Sequence, residues 1–396
     1  MSETKKVKLA VIGLGVMGSS HCRDIVTMEN AELAAVCDID RALADKFAEQ
    51  YNVPAYYNHQ DVLEKAGVDG IIIATPHYDH TTIMIDGMAV GMNVLSEKPI
   101  GVTTKDAKKM IAAYEAAKAK FPKIVFAIMF QQRTHGFWRK IKEMIDGGEL
   151  GRLVRATWII TDWFRTQAYY DNGGWRATWS GEGGGVLLNQ CPHNLDLYTW
   201  FVGTPKRVTG FAHIGKYHNI EVEDEVTGYF EYENGMVGHF ITTTAESPGT
   251  NRLEIVGEKG KLVFEAGKLL FTRNSESMLD FINTCPRSFD KVQNETIDVA
   301  YPESDRGAHK MVTTNFCNAI LNGEELIAPG PEGLRGLTIS NAIMLSSFIG
   351  QSVELPLDDD EYASRLEELA KNSRFQKVVK KAEESDFSKS FSGAPK

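Results

Sequence analysis

The first third of the chain alternates short apolar runs with stretches of helical length. Five runs rich in β-branched residues predict strands, and the segments between them are long enough for crossover helices. Such alternation is typical of a parallel sheet covered by helices on both faces. The predicted strands are Val7–Ile12, Leu33–Cys37, Gly70–Ala74, Asn93–Leu95 and Ile124–Ile128.

The segment Thr104–Lys120 is predicted to be one of the helices of this region. Thr103 lies just before it and Asp106 follows three residues later, a spacing typical of a capping box. The carboxylate of Asp106 would also lie at the positive end of the helix dipole, where negative charge is stabilising. The pattern therefore indicates both the helix and its first residue.

After Phe130 the pattern changes to longer strand-like runs separated by tight turns such as Asn234-Gly235. Successive runs of this kind predict a mostly antiparallel sheet. We therefore predict an α/β protein with a doubly wound parallel-sheet domain in residues 1–128. An α+β domain with a large, mostly antiparallel sheet would occupy residues 129–356. The charged residues 357–396 predict a helical extension, with an acidic run at a helix N-terminus and a frayed tail from Ser385 onward.

The composition, with 43% hydrophobic and 24% charged side chains, is typical of a soluble globular protein. A chain of 396 residues is too long for a single hydrophobic core, so two domains are expected. A net charge of −10 argues against nucleic-acid or anionic-membrane binding. Five scattered cysteines without a CxxC pair, a polar N-terminus and no apolar membrane-length run predict a cytoplasmic protein. No metal is expected, and the alternation in His218–Asp224 is interpreted as a solvated acidic strand face.

A glycine-rich segment, Gly13–Gly18, follows the first predicted strand and begins a helix. In this context one glycine allows a tight turn, one lets the backbone approach a pyrophosphate, and one permits close helix–strand packing. Asp38 ends the second strand, where a carboxylate binds ribose hydroxyls and repels a 2′-phosphate. We therefore expect NAD rather than NADP, although Arg41 nearby is the kind of residue that admits NADP.

Two further segments carry candidate chemistry. Lys98 directly follows a predicted strand, and ligands of doubly wound sheets bind outside the carboxyl ends of the strands. The Lys98-Pro99 peptide can adopt the cis form, and a surface turn is the structural alternative. If Leu187–Tyr198 is helical, Asn189 and His193 share one face after a run of three glycines. A structural histidine is the alternative to a catalytic one.

These motifs in this order resemble the Gfo/Idh/MocA oxidoreductases, the relatives of glucose–fructose oxidoreductase and inositol dehydrogenase. The resemblance covers residues 6–356 and includes Gly148–Gly151 and Leu355-Pro356. It implies a Rossmann domain, a sheet domain that often forms homodimers or homotetramers, and NAD(P)-dependent chemistry on a sugar, glycoside or cyclitol. The cofactor contacts we expect are Gly13, Gly15, Val16, Met17, Gly18, Asp38, Ala74, Thr75, Pro76, His80, Glu97 and Lys98.

The resemblance also implies the catalytic roles. The family's lysine falls on Lys98 and its catalytic histidine on His193, whereas its aspartate falls on Asn189. An amide cannot accept a proton, so Asn189 can only position the substrate or His193. We expect His193 to take the proton of a secondary hydroxyl while hydride leaves for nicotinamide, with Lys98 polarising the same oxygen. Lys98 is the alternative proton acceptor.

The segment 161–179 joins tryptophans and arginines just before the glycine run. Aromatic faces suit sugar rings, and guanidinium groups suit hydroxyls or carboxylates. A partly buried aromatic loop or subunit contact is the alternative. The expected substrate contacts are Gln131, Arg133, Asp162, Arg165, Tyr169, Arg176, Asn189 and His193.

Two other functions stay open at this point. Some members of the resembled family oxidise a sugar hydroxyl transiently, eliminate the aglycone and reduce the product again with the same NAD. At least one relative is a non-catalytic dinucleotide-binding sensor, but the presence of both Lys98 and His193 argues against that function here.

Overall fold

The structure is a computed structural model in which residues 5–303 and 308–380 are described. They form two compact units, one made of residues 5–135 and 308–337 and the other of residues 136–303 and 338–380. The predicted domains were consecutive in sequence, whereas the first unit takes a second segment from late in the chain. Most of the predicted C-terminal tail, residues 381–396, lies outside the described residues.

The first unit is built on a six-stranded parallel sheet with strand order β3-β2-β1-β4-β5-β6. This arrangement confirms the predicted doubly wound parallel sheet, and strands 1, 4 and 5 end at the loops that carry the glycine-rich motif, Thr75 and Lys98. The strands are β1 Val7–Ile12, β2 Ala31–Cys37, β3 Ala55–Tyr56, β4 Gly70–Ile73, β5 Asn93–Ser96 and β6 Phe126–Ile128.

Helices alternate with these strands as the sequence pattern predicts. The helix Thr104–Lys120 begins where predicted, because Thr103 Oγ1 accepts a hydrogen bond from Asp106 N and donates one to Asp106 Oδ2 at 2.8 Å. The helices of the first unit are Val16–Ile25, Arg41–Tyr51, His59–Lys65, His77–Ala89, Thr104–Lys120 and Ala308–Asn322, with 3-10 turns at Gln131–Thr134 and Gly330–Glu332.

The helix Ala308–Asn322 completes the core of the first unit from the far end of the sequence. Val312 and Phe316 are buried and share a hydrophobic cluster with Leu9 and Val11 of β1. A side chain such as Phe316, at 0% exposure, removes its whole apolar surface from water there. The returning segment therefore belongs to the core and is not an appended element.

The second unit contains a nine-stranded sheet of order β14-β13-β12-β11-β7-β10-β9-β8-β15. Its β7–β10 pair is parallel and its other pairs are antiparallel, which confirms the predicted large, mostly antiparallel sheet. Association of copies through this sheet stays a prediction. The strands are β7 Leu153–Ile160, β8 Arg207–Ile214, β9 Glu223–Glu231, β10 Val237–Thr243, β11 Asn251–Gly257, β12 Gly260–Glu265, β13 Lys268–Asn274, β14 Asn294–Asp298 and β15 Val353–Glu354.

The helices of this unit differ widely in length. The acidic run near its C-terminal end is the start of a helix, since Asp358 caps Asp359–Asn372 by accepting from Asp360 N and Glu361 N. Within the described ranges, no helix has the length and apolar character needed to cross a bilayer. The helices are Gly136–Asp146, Gln167–Asp171, Val186–Asn189, Pro192–Val202, Met278–Thr284, Gly333–Ile349 (most of which belongs here) and Asp359–Asn372.

We expect Phe316→Ala to lower the free energy of unfolding of the first unit by about 3–5 kcal/mol, because it leaves a cavity beneath β1. Urea denaturation monitored by far-UV circular dichroism measures the loss of unfolding free energy. Asn322→Ala, at the exposed end of the same helix, serves as control. Equal stability of the two variants would contradict the assignment of this helix to the core.

Candidate functional site

The glycine-rich loop after β1 has the shape of a dinucleotide cradle. Gly13 has a φ of +89°, and a Cβ on it would lie 2.6 Å from the Ala74 carbonyl oxygen. A Cβ on Gly18 would lie 1.7 Å from the Gly13 carbonyl oxygen, so both positions exclude a side chain. A Cβ on Gly15 would meet nothing within 4 Å, which leaves open space over the backbone at the start of the helix Val16–Ile25.

This helix start fits a pyrophosphate. Gly15 is the N-cap and has no side chain to cap the first N–H groups of the helix, which begins at Val16 and Met17. Free N–H groups and the helix dipole together favour a phosphate at such a position. The residues present therefore fit the phosphates of a dinucleotide.

Asp38 is held at the end of β2 by the same loop. Its Oδ2 accepts from Leu14 N at 2.7 Å and its Oδ1 accepts from Asp40 N at 2.9 Å. These bonds leave the remaining lone pairs of the carboxylate for ribose hydroxyls. Arg41, the residue that weakened the NAD expectation, places its guanidinium 4.1 Å from the centre of the Tyr57 ring.

The loop after β4 carries the predicted contacts Ala74, Thr75 and Pro76. Ala74 N donates to Ile12 O at 2.8 Å, and Pro76 is the N-cap of the helix His77–Ala89. His80 on that helix is fully buried, with ring nitrogens 3.0 Å from Thr75 O and 2.9 Å from Pro99 O. These two contacts tie the loop after β4 to the loop after β5. Burial lowers the pKa of the His80 imidazole.

Lys98 follows β5 in a loop fixed by the buried carboxylate of Glu97. Glu97 Oε1 lies 2.8 Å from His21 Nε2, and its Oε2 accepts from Lys98 N at 3.3 Å. Burial alone would raise the pKa of Glu97, but the hydrogen bond and positive charge of His21, with weaker help from His309 and Lys98, lower it to about 2. The Lys98–Pro99 peptide bond is cis.

Gln131 and Arg133 lie in the 3-10 turn of the first unit and are both buried. Arg133 Nη1 donates to Glu332 Oε2 at 2.5 Å and to Ile327 O at 3.2 Å. These bonds give Arg133 a structural role within the first unit. A substrate contact by its guanidinium stays a prediction, and these partners do not favour it.

The segment that carries Asn189 and His193 is not the single helix Leu187–Tyr198 that the spacing suggested. Val186–Asn189 forms one short helix, and Pro192–Val202 forms the next. Pro192 occupies the first turn of the second helix, where its missing N–H is tolerated, whereas it would break a continuous helix. His193 is buried at the start of this second helix, 8% exposed.

Asn189 is bound to a carboxylate that the sequence analysis overlooked. Its Nδ2 donates to Glu182 Oε1, and Glu182 Oε2 accepts from Ala177 N at 2.6 Å. Arg176 Nη1 lies 4.0 Å from Glu182 Oε1. Glu182 precedes the run of three glycines directly, and that position next to a candidate catalytic segment was the signal available in the sequence.

Tyr169 joins Arg176 to the helix break. Its hydroxyl accepts from Arg176 Nη1 at 2.8 Å and from Gln190 Nε2 at 3.1 Å, and the guanidinium lies 4.7 Å from the centre of its ring. The Arg165 guanidinium, from the same segment, lies 5.2 Å from the centre of the Tyr169 ring. Asp162 Oδ2 accepts from Asn251 Nδ2 of β11 at 3.3 Å.

The interpretation of His218–Asp224 as a solvated acidic face is wrong for its last two residues. Glu223 is 1% exposed, and its carboxylate accepts from Gly185 N at 2.8 Å and from Leu187 N at 3.0 Å. Asp224 is fully buried and accepts from the backbone of residues 216–218 and from His218. The strand itself begins only at Glu223, since residues 218–222 belong to the turn before β9, so the predicted strand alternation is also wrong for those residues.

The end of the described chain crosses the aromatic segment. Lys377 Nζ donates to Tyr170 O at 2.7 Å and to Arg176 O, and Lys380 N donates to Asp171 O at 3.0 Å. Burial lowers the pKa of Lys377. We call residues 373–380 the C-terminal strap, because they fasten the loop that holds Tyr169 and Arg176.

The structure thus groups the predicted site residues by unit. The first unit brings together the glycine-rich loop, Asp38, the loop after β4 and Lys98, all at the carboxyl edge of the parallel sheet. The second unit brings Tyr169, Arg176 and Asn189 into one polar network with Glu182 and Gln190. The residues that sequence reasoning missed are the hydrogen-bond partners of these loops, four of them buried and Lys377 half-buried: His21, Glu182, Gln190, Glu223 and Lys377.

We expect stability to fall as the pH rises from about 5 to 7 because of Glu223. Burial raises the pKa of its carboxyl from 4.5 to about 7, although the hydrogen bonds from the backbone N–H groups of Leu187 and Gly185 act to lower the pKa. The folded state then binds this proton more tightly than the unfolded state. The free energy of unfolding should therefore fall by up to about 1.4 kcal/mol per pH unit between about pH 5 and 7.

Glu223→Gln should remove this part of the slope, whereas the nearby Glu221→Gln should retain it. Urea denaturation of the three proteins at several pH values measures the difference. The same slope in Glu223→Gln as in the unaltered protein would contradict the assignment.

Known protein families match both units. Residues 7–122 match the family described as "Oxidoreductase family, NAD-binding Rossmann fold", and residues 138–263 match the "GFO/IDH/MocA C-terminal domain". Together these matches cover more than half of the chain. They confirm the expected Rossmann domain and NAD as its cofactor.

Individual relatives agree. The chain is 25% identical over 267 residues to scyllo-inositol 2-dehydrogenase (NAD(+)) of Bacillus subtilis, covering 65% of this chain and 73% of the relative. It is 29% identical over 198 residues to the rhizopine catabolism protein MocA of Rhizobium meliloti, covering 50% of this chain and 58% of that protein.

Among solved structures, the WlbA dehydrogenase of Bordetella pertussis in complex with NADH and UDP-GlcNAcA aligns with a TM-score of 0.74 and 25% identity. The alignment covers 89% of this chain and 100% of that one. The cradle at the start of the parallel sheet, the two-unit architecture and these matches lead to one conclusion. The chain belongs to the Gfo/Idh/MocA family of oxidoreductases with an NAD-binding Rossmann domain.

Proposed function

We propose that this protein is an NAD-dependent dehydrogenase that oxidises a secondary hydroxyl of a sugar, glycoside or cyclitol. The names of its relatives support this substrate class. One is a scyllo-inositol 2-dehydrogenase, and the WlbA dehydrogenase was solved with NADH and UDP-GlcNAcA. The aromatic and arginine side chains of the segment 163–176 suit a hydroxylated ring.

The observation that carries the proposal is the placement of Lys98. The loop after β5 carries Lys98 at the carboxyl edge of the same parallel sheet whose β1 and β2 loops carry the glycine-rich cradle and Asp38. Ligands of doubly wound sheets bind at that edge. A cation fixed there is suited to stabilise negative charge that develops on a substrate oxygen.

In the proposed mechanism His193 removes the proton of the hydroxyl that is oxidised, and Lys98 hydrogen-bonds the same oxygen. Histidine suits the task because its imidazole titrates near neutral pH. NAD, when bound, supplies the acceptor for the hydride. Asn189 has no basic group, so it orients the substrate or His193 by hydrogen bonding.

We expect His193→Asn to lower kcat for NAD+ reduction by about 10²–10⁴-fold, because the general base is removed. Purified protein with NAD+ is tested against inositols, aldohexoses and methyl glycosides by the absorbance of NADH. His213→Asn, an exposed histidine of β8, is the matched control and should retain full activity.

Each result of this screen has a defined meaning. NADH formation that persists in His193→Asn would contradict the role of His193. Glycoside cleavage without NADH formation would replace the proposal with redox-neutral oxidation, elimination and reduction. Binding of NADH without turnover of any compound would favour a sensor.

We expect Gly15→Ala to weaken NADH binding by about tenfold or more, equivalent to about 1.4 kcal/mol, because the new methyl group occupies the open space of the cradle. Its thermal stability should change little, since that methyl group meets no protein atom within 4 Å. Gly18→Ala should instead lower the melting temperature, because its Cβ would overlap Gly13 O. NADH fluorescence titration and thermal denaturation separate the effects. Unchanged NADH affinity in Gly15→Ala would argue against this cradle as the phosphate site.

A further inference from the structure

The carboxylate of Glu182 is built into the second unit as a hydrogen-bond acceptor. The side chain is 2% exposed, and its two oxygens accept from different elements. Oε2 accepts from Ala177 N at 2.6 Å, and Oε1 accepts from the side-chain amide of Asn189. A buried carboxylate needs such donors, so this position is satisfied only when Asn189 turns its NH2 group toward it.

This bond decides the orientation of the Asn189 amide. An asparagine has a donor end, Nδ2, and an acceptor end, Oδ1. An ionised carboxylate has no hydrogen to donate, so it can bind only the Nδ2 end. Oδ1 is thereby fixed as the end of Asn189 that accepts a hydrogen from another group.

Tyr169 provides the complementary end of the network. Its hydroxyl oxygen accepts from Arg176 Nη1 at 2.8 Å and from Gln190 Nε2 at 3.1 Å. With both lone pairs of the oxygen occupied, the hydroxyl hydrogen is directed to a further acceptor. A substrate hydroxyl both donates and accepts, whereas a carboxylate or keto group has no hydrogen for Oδ1. The network therefore suits a hydroxylated ring.

We propose that Glu182 is a positioning residue that holds the Asn189 amide with its Nδ2 end toward the carboxylate and so presents Oδ1 as the acceptor end of that side chain. This inference rests on the proposed dehydrogenase function.

Single substitutions at the pair should both fail, for opposite reasons. In Glu182→Gln, the oxygen of the new amide is required by Ala177 N, so its NH2 group meets the NH2 group of Asn189 and forces that amide to turn. In Asn189→Asp, two carboxylates face each other. We expect each single variant to lose at least about tenfold in kcat/KM, because a buried charged hydrogen bond is lost.

The double variant Glu182→Gln/Asn189→Asp should recover most of the loss. It restores one amide and one carboxylate with the donor and acceptor exchanged, and again presents an acceptor oxygen from position 189. Recovery to within about threefold of the unaltered protein is expected if the bond is the determining feature. Glu221→Gln, at a carboxylate that accepts from Trp179 N at 2.9 Å, should leave kcat/KM unchanged.

The experiment measures kcat and KM with NAD+ and the best polyol of the screen, NADH affinity by fluorescence, and unfolding free energy by urea. The single variants should retain NADH affinity while losing kcat/KM, which a general folding defect would not produce. Full activity of Glu182→Gln, or a double variant no better than the worse single variant, would overturn the inference.

The outcome for Glu182 is separable from that for the proposed function. If the unaltered protein reduces NAD+ with none of the polyols, the dehydrogenase proposal fails. The pair is then judged by the same double-mutant cycle in unfolding free energy. Recovery of stability in the double variant would support the oriented pair, and additive losses would overturn it.

Discussion

A carboxylate removed from water must receive hydrogen-bond donors from the protein, and this requirement shapes the loops that carry the candidate chemistry. Glu97 obtains its donors from His21 and the backbone of Lys98. Glu223 obtains them from the backbone at Gly185 and Leu187. In each unit, the loop conformation next to a candidate catalytic residue is the one that satisfies a buried carboxyl group.

The glycine run before Asn189 shows how closely the backbone follows this requirement. A Cβ on Gly185 would lie 2.0 Å from the carbonyl oxygen of Glu223, so only glycine allows the approach at which its N–H reaches the Glu223 carboxylate. The same segment then forms the short helix Val186–Asn189 and delivers Asn189 to Glu182. Glycines that resemble a flexible linker in the sequence serve here as close packing positions.

Local features of the fold were predictable because their causes are local. The strand Val7–Ile12 and the helix Thr104–Lys120 match the sequence prediction residue for residue, since alternation and a capping threonine act over a few positions. Pro192 is a local signal for a helix break, but the four-residue spacing of Asn189 and His193 favoured one continuous helix in the sequence prediction. The roles of Glu182 and Glu223 depend on contacts across the fold, which a single sequence does not display.

The helix Ala308–Asn322 has a consequence for how the protein is made. Its residues leave the ribosome after all of β7–β14, yet Val312 and Phe316 cover the apolar side of β1. During synthesis the cover over this side of β1 is therefore incomplete, with only the earlier helix Val16–Ile25 available, while most of the nine-stranded sheet is translated. The nascent chain therefore has a prolonged aggregation-prone stage before the helix Ala308–Asn322 completes the core of the first unit.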